Sequence, residues 1–294
     1  MSDDHTDTMM SPASNDRVLP LSAKRRAALV ELLGEAIAER IGVYALPESF
    51  RLSVVIPVYN ERDTIDAALD RLDETGLPLE IILVDDGSTD GTRARLESLA
   101  VERHVRVIYH ERNRGKGAAI RSGFAAATGD VVVIQDADLE YDPVDFWWLL
   151  QPIVASRADV VYGSRYTQAS HPVSPIWHRA ANRLITLITS IAVGWRFSDV
   201  ETCYKMIRRE TLAAILPDLR ENRFGIEIEL TFRLARRPGV RLFEVPIRYD
   251  RRTYAQGKKI TWRDGVAALW CILKYSLTVR RPGRSGDRVT RTDE

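Results

Sequence analysis

Between Arg51 and Tyr166 the chain alternates apolar, β-rich runs with segments of helical periodicity. The runs are "LSVVIPV", "LEIILVDD", "VRVIYHE", "DVVVIQDADLE" and "ADVVYGSRY". Between them lie "ERDTIDAALDRLDETG", "TRARLESLAVERH", "GKGAAIRSGFAAATG" and "VDFWWLLQPIVASR". A run such as "LSVVIPV", apolar without alternation, suits a strand covered on both faces. Strand, helix and strand in succession form βαβ units, so the expected fold is α/β, with a mostly parallel central sheet flanked by helices. In such a sheet functional groups gather where the strands end, at the C-terminal edge.

Three of these strands end in acids or polar residues. The first runs into Pro57, Tyr59 and Glu61, the second into Asp85 and Asp86, and the fourth into Asp136, Ala137, Asp138 and Glu140. Turn acidity accounts for one such cluster more easily than for three that a parallel sheet brings together. Unpaired carboxylates cost several kcal/mol to bury, and a divalent cation relieves that cost. A turn at Ala137 would let Asp136 and Asp138 face one ion. Mg²⁺ or Mn²⁺ takes oxygen ligands of this kind, completed by ligand phosphates. Several familiar motifs are absent. "GKG" at Gly115–Gly117 lacks the Walker spacing, "DDGSTDG" lacks the calcium-loop spacing, and no GxGxxG opens the first helix.

Composition narrows the rest. A net charge of +1 argues against a nucleic-acid partner. Between Arg233 and Arg263, ten Arg or Lys residues face only Glu244 and Asp250. This excess suits a phosphorylated ligand, an anionic lipid surface or a solvated face. Cys203 and Cys271 are the only cysteines, with no zinc spacing, which points to a reducing compartment. The first residues are polar and acidic, unlike a signal peptide, and no apolar run reaches membrane-spanning length.

The expected organisation is a polar tail over 1–20 and a helical extension over 21–50, with Ser22 as N-cap and Gly42 as stop. An α/β half over 51–166 follows, then a second half over 167–279 with apolar helices, then a basic tail over 280–294. The helical extension is expected to pack on the main domain, with a homodimer contact as the alternative.

Four ordered motifs, "VVIPVYNE", "ILVDDGSTDGT", "NRGKGAAIRSGFAAATGD" and "QDADLEYDP", resemble family 2 glycosyltransferases of the GT-A fold. The form "DADLEYDP" is similar to the polyprenyl- or dolichyl-phosphate mannosyl- and glucosyltransferase branch. The resemblance implies that Pro57, Tyr59 and Glu61 line the base and ribose, that Asp86 contacts the nucleoside, and that Lys116 lies near the nucleotide. It implies Asp136 and Asp138 as the diphosphate–metal pair, with Ala137 between them and Glu140 as a third ligand where relatives often carry Gln. Arg165, Arg179, Arg252 and Lys258 fall where that branch surrounds an acceptor phosphate. Each residue also has a plainer reading: Pro57 can simply end a strand, Tyr59 can pack, Lys116 can be solvated, and the arginines can pair with nearby acids.

"DVETCYKMIRRE" and "RTYAQGKKITWRDG" instead resemble a soluble bacterial subgroup. The expectation drawn from these motifs is a metal-dependent inverting hexosyltransferase. It would use GDP-mannose or UDP-glucose and deliver the sugar to polyprenyl phosphate. It would be cytoplasmic, with "RLITLITSIAVGW" and "VAALWCILKYSLTV" available for peripheral contact on the inner membrane face. The alternative is the same transferase class acting on a soluble sugar or a small phosphorylated acceptor. A non-enzymatic nucleotide-sugar binding protein is the remote one. A phosphate acceptor is already largely ionised and needs no base, whereas a hydroxyl acceptor does. Asp199 is the candidate base. Of Glu227 and Glu229, too close to share a helix face, one is expected to line the site.

Overall fold

The computed structural model describes residues 23–40, 43–166, 176–250 and 262–279. Among them, seven strands form one sheet: β1 (Leu52–Val58), β2 (Leu79–Asp85), β3 (Arg106–Tyr109), β4 (Val131–Ile134), β5 (Val160–Ser164), β6 (Lys205–Arg208) and β7 (Leu242–Pro246). Their order is β3-β2-β1-β4-β6-β5-β7. All neighbours run parallel except β6, which is antiparallel to both β4 and β5. The expectation of a mostly parallel sheet therefore holds, with one reversal.

That reversal matters for the site. Val133 pairs with Met206 and Tyr162 with Lys205. The residues before β6 thus lie at the same edge as those after β4 and β5. Residues 194–204 are carried to the tip of the acid-bearing strand by backbone geometry alone.

The helices are α1 (Ala23–Leu33), α2 (Glu35–Arg40), α3 (Ile65–Asp73), α4 (Thr92–Glu102), α5 (Lys116–Ala126), α6 (Phe146–Val154), α7 (Ile176–Val193), α8 (Arg209–Ala213), α9 (Ile226–Ala235) and α10 (Trp262–Thr278). α3 buries Ile65, Ala68, Leu69 and Leu72, the one-sided spacing that seats a helix on a sheet. The central strands are buried throughout, from Leu52 to Ile56 on β1 and from Val131 to Ile134 on β4.

The helix expected over 21–41 is two helices, because the chain turns at Gly34 with φ +77°. Ser22 and Gly42 lie outside the described residues. This extension packs on the main domain. The Arg26 guanidinium sits 3.7 Å from the Trp147 ring centroid, and the Tyr44 hydroxyl donates to the Trp147 carbonyl at 2.6 Å. A stacked, partly desolvated cation of this kind contributes roughly 0.5–2 kcal/mol.

On the acceptor side, α7, α9 and α10 pack together. Ile185, Ile272 and Tyr275 face inward, while Leu184, Ile191, Trp270 and Leu277 stay exposed. Among the described residues, no helix is long and apolar enough to cross a membrane.

Candidate active site

The site is built at the C-terminal edge of the sheet. Asp85, at the end of β2, is fully buried and is a structural carboxylate. It accepts from the Ser88 amide at 3.0 Å and from Arg93 Nε at 2.7 Å. Asp86 is equally committed. One oxygen accepts from the Arg114 amide at 2.9 Å and bonds His110 Nδ1 at 2.7 Å; the other accepts from the Gly115 amide at 2.7 Å. His110 Nε2 in turn bonds Ser122 Oγ at 2.9 Å. Asp86 therefore fastens the 110–115 loop, which leads directly into α5 and Lys116. His110 belongs to this brace, and its one sequence signal was its place at the end of the third strand.

Pro57 is the penultimate residue of β1, half-buried, and Tyr59 comes just after the strand. The Glu61 amide donates to Thr92 Oγ1 at 3.0 Å, and its carboxylate accepts from Thr64 Oγ1 at 2.8 Å, just before α3. All three sit beside the β2 tip through the parallel pairing of Val58 with Asp85.

β4 stops at Ile134, so Asp136, Ala137 and Asp138 lie past the strand, with a turn at Ala137 and Asp138. Ala137 is buried while both acids are half-buried. The Lys116 ammonium lies 2.7 Å from Asp136 Oδ1 and 3.6 Å from Glu227 Oε1. Burial opposes the charge on Lys116, but Asp136 above all outweighs it and holds the lysine well above its usual pKa. The flanking glycines let the chain approach closely. A Cβ on Gly117 would meet the Glu221 carbonyl at 2.5 Å and the Arg223 carbonyl at 2.8 Å. The "GKG" motif thus seats the start of α5 against the loop before α9 and aims Lys116 at the turn.

Asp138 Oδ1 accepts from the Glu140 amide at 3.1 Å. The Glu140 carboxylate accepts from the Tyr249 hydroxyl at 2.7 Å. Glu140 is turned toward β7 by that bond. Among the described residues no three His, Cys, Asp or Glu side chains are grouped to hold a metal ion. The three-carboxylate set implied for Asp136, Asp138 and Glu140 is therefore not assembled. Asp136 and Asp138 remain as a pair of hard oxygen donors. That chemistry fits Mg²⁺ or Mn²⁺, which is ordinarily held by one or two carboxylates plus ligand phosphates.

The acceptor side departs more from expectation. Asp199 is fully buried and bound at both oxygens by Arg165, with Nε at 2.7 Å and Nη2 at 2.9 Å. The Arg165 amide adds a bond at 3.3 Å and Asn182 Nδ2 another at 3.2 Å. A carboxylate gripped this way orients a loop. Of the four cations expected round an acceptor phosphate, only Arg165 has a described side chain. Arg179 lies on α7 with its side chain outside the description, and Arg252 and Lys258 lie outside the described residues.

Lys205, on β6, is completely buried and donates to the Val200 carbonyl at 3.0 Å, the Thr202 carbonyl at 2.5 Å and Glu227 Oε2 at 2.5 Å. All three ammonium protons are accounted for. Glu227 faces the site, while Glu229 bonds the Arg220 and Glu221 amides and Arg233 on the other side of α9. Cys203 is buried, its thiol held protonated by desolvation. Glu201, in the same loop, was not singled out from the sequence. Burial pushes its carboxyl up to about 7, against the opposing pull of Arg165.

The comparisons with known proteins follow this geometry. The model for "Glycosyl transferase family 2" matches residues 53–216. An undecaprenyl-phosphate mannosyltransferase from Micrococcus luteus is 32% identical over 214 residues, covering 71% of this chain and 87% of that protein. An undecaprenyl-phosphate 4-deoxy-4-formamido-L-arabinose transferase from Klebsiella pneumoniae is 31% identical over 219 residues, covering 72% of this chain; the chain spans 63% of its length. Glucosyl-3-phosphoglycerate synthase from Mycobacterium tuberculosis, in complex with Mn²⁺, UDP and phosphoglyceric acid, superposes with a TM-score of 0.60 at 22% identity. The match covers 86% of this chain and 84% of that one. The architecture is the GT-A nucleotide-sugar transferase fold. The chain belongs to glycosyl transferase family 2.

The expectation of polyprenyl phosphate as acceptor and partner is corrected here. Several solved structures of the M. tuberculosis synthase, which share the fold across most of both chains, hold phosphoglyceric acid or glycerol 3-phosphate, small soluble phosphorylated compounds. In this chain Arg165, one of the cations expected round an acceptor phosphate, is bound bidentately by the buried Asp199 carboxylate.

Proposed function

We propose that the chain transfers a hexose from a nucleotide-diphosphate sugar, UDP-glucose foremost, to a small soluble acceptor that carries a phosphate. The observation that carries this reading is the Asp136–Lys116–Glu227 cluster at the sheet's C-terminal edge, beside the Asp86-braced loop. It sets two carboxylates and a half-buried cation where a diphosphate would lie in a fold of this class. The donor and acceptor classes are supported by the complexes of the M. tuberculosis synthase, which hold Mn²⁺, UDP-glucose and phosphoglyceric acid or glycerol 3-phosphate.

Asp136 and Asp138 would hold Mn²⁺ or Mg²⁺, and the ion when bound supplies positive charge against the diphosphate leaving group. Lys116 adds a fixed cation on the same side, desolvated and therefore stronger than in water. Pro57, Tyr59 and Glu61 line the nucleoside end of the same edge. Asp86 acts there through the backbone it fastens.

The test is product mass. Purified protein is incubated with UDP-glucose or GDP-mannose, Mn²⁺, and 3-phosphoglycerate or glycerol 3-phosphate, with a polyprenyl-phosphate arm alongside. A hexose added to a water-soluble phosphorylated acceptor supports the reading. Label found only in organic-extractable product refutes it.

A further inference from the structure

We propose that Glu201 is the catalytic base that takes the acceptor's hydroxyl proton, an inference that rests on the function proposed above. The reading of sequence alone nominated Asp199, but the fold immobilises that carboxylate between Arg165 and Asn182. A different acid, two residues on, is left with the required freedom.

The segment from Asp199 to Lys205 is rigid round Glu201. Lys205 Nζ binds the carbonyls of Val200 and Thr202, the two residues that flank it. The Cys203 amide donates to the Tyr141 hydroxyl at 3.1 Å, and the Tyr204 hydroxyl donates to Gln135 Oε1 at 2.6 Å. Those contacts tie the loop to the residue just before Asp136. The Ser198 amide donates to the Glu244 carboxylate at 2.9 Å, fixing the loop's other end to β7. The Glu201 side chain itself accepts no hydrogen bond among the described residues. The neighbouring cations are taken: Lys205 by three acceptors, Arg165 by Asp199. A carboxylate placed by rigid backbone at the sheet's active edge, with no protein partner, is available for a ligand.

Glu227 is the competing acid and is less suited. It lies between Lys205 at 2.5 Å and Lys116 at 3.6 Å, so its charge already balances the buried Lys205 and faces the lysine that the donor side uses. The groups acting on Glu201 are Arg165 just past β5, Lys205 from β6, Glu227 from α9 and Asp199 in its own loop. Two carboxylates offset two cations, and burial then governs. A base that protonates near neutrality has the proton affinity a hydroxyl acceptor needs.

The acceptor hydroxyl oxygen bonds to the sugar's anomeric carbon, and its proton passes to a Glu201 carboxylate oxygen. The bond from that carbon to the diphosphate breaks, and its electron pair stays on the diphosphate oxygen. The acceptor class is thus a phosphorylated compound that reacts through a hydroxyl, with its phosphate serving only for binding.

The experiment compares wild type, Glu201→Gln and Glu201→Ala with UDP-glucose, Mn²⁺ and 3-phosphoglycerate or glycerol 3-phosphate. Glu201→Gln is expected to lower kcat by about a hundredfold or more and to leave the Kd for UDP within about threefold. The wild-type rate should rise with pH through about 7, and the residual rate of Glu201→Gln should lack that limb. An acceptor phosphate titrating near pH ~6 would persist in both and is separable. Formate should restore turnover in Glu201→Ala, which a purely structural role does not allow. A kcat for Glu201→Gln within about threefold of wild type, with the pH limb retained, overturns Glu201 and leaves the function standing. Wild type that glycosylates no phosphorylated hydroxyl compound, while still binding UDP, overturns the function and the base with it.

Discussion

The donor and acceptor sides of the sheet edge use their charges differently. On the donor side, Asp85 and Asp86 bind three backbone amides, His110 and the partly exposed Arg93, all within 30 residues of themselves, and so shape two loops. On the acceptor side, Asp199 and Glu227 bind Arg165, just past β5, and the buried Lys205 on β6, side-chain cations from different parts of the sheet. The first arrangement freezes local backbone for a ligand that brings its own charge. The second locks separate elements together and leaves one acid, Glu201, outside the pairing. The same edge therefore contains carboxylates that build and one that is left to react.

The largest expected effect tests the locking pair. Arg165→Ala strands a fully buried Asp199 carboxylate, which should cost about 3–5 kcal/mol of stability. Urea unfolding measures it. The double change Arg165→Met with Asp199→Leu should recover most of the loss, since it removes both charges. A loss below about 1 kcal/mol, the surface-pair range, would show that the pair does not hold the acceptor side together.

Glu201 gives a smaller effect with a definite sign. Its carboxyl is raised to about 7 in the folded protein, from an ordinary value of 4.5. The folded state then binds the extra proton across that window, so stability falls as pH rises from about 4.5 to about 7. Glu201→Gln removes this penalty. The variant should be more stable than wild type at pH ~8 by on the order of 2 kcal/mol, and nearly equal at pH ~4. Thermal melts at the two pH values decide it. An equal difference at both would mean that Glu201 is not strained by burial.

On the donor side, Lys116→Met should weaken UDP binding by about tenfold, or ~1.4 kcal/mol, with little change in fold stability. Calorimetric titration reads the affinity. Unchanged affinity would place Lys116 in the scaffold alone. The smallest effect is expected for His110→Ala, which removes one of three partners of Asp86 and should cost about 1 kcal/mol. Hydrogen exchange of the Arg114 and Gly115 amides should quicken in that variant. Unaltered protection would separate His110 from the loop brace.

The difference between the two sides also explains what could be read from the chain. The parallel sheet was legible because β1 and β4 are continuous apolar runs, and a strand covered on both faces admits little else. The tips were legible because Asp85, Asp86, Asp136 and Asp138 follow those runs within a few residues. The acceptor side was not, because its pairs are assembled over distance. Asp199 reads as a free acid until β5 brings Arg165, 34 residues earlier, into a bidentate grip. Lys205 reads as an ordinary lysine in "YKMIRRE" until the antiparallel insertion of β6 buries it completely. Nothing in the local sequence marks that reversal. It is also what carries Glu201 to the edge, so that acid could not be picked out from the sequence, where Asp199 was the candidate.

The most direct test of the account is UDP binding with and without the metal. UDP is titrated into wild-type protein and Asp136→Ala, each in Mn²⁺ and again in EDTA. The account predicts that wild type loses at least about tenfold in affinity when the ion is removed. Asp136→Ala should bind weakly in both conditions. Equal affinity for wild type in Mn²⁺ and in EDTA would contradict a diphosphate held through Asp136 and Asp138.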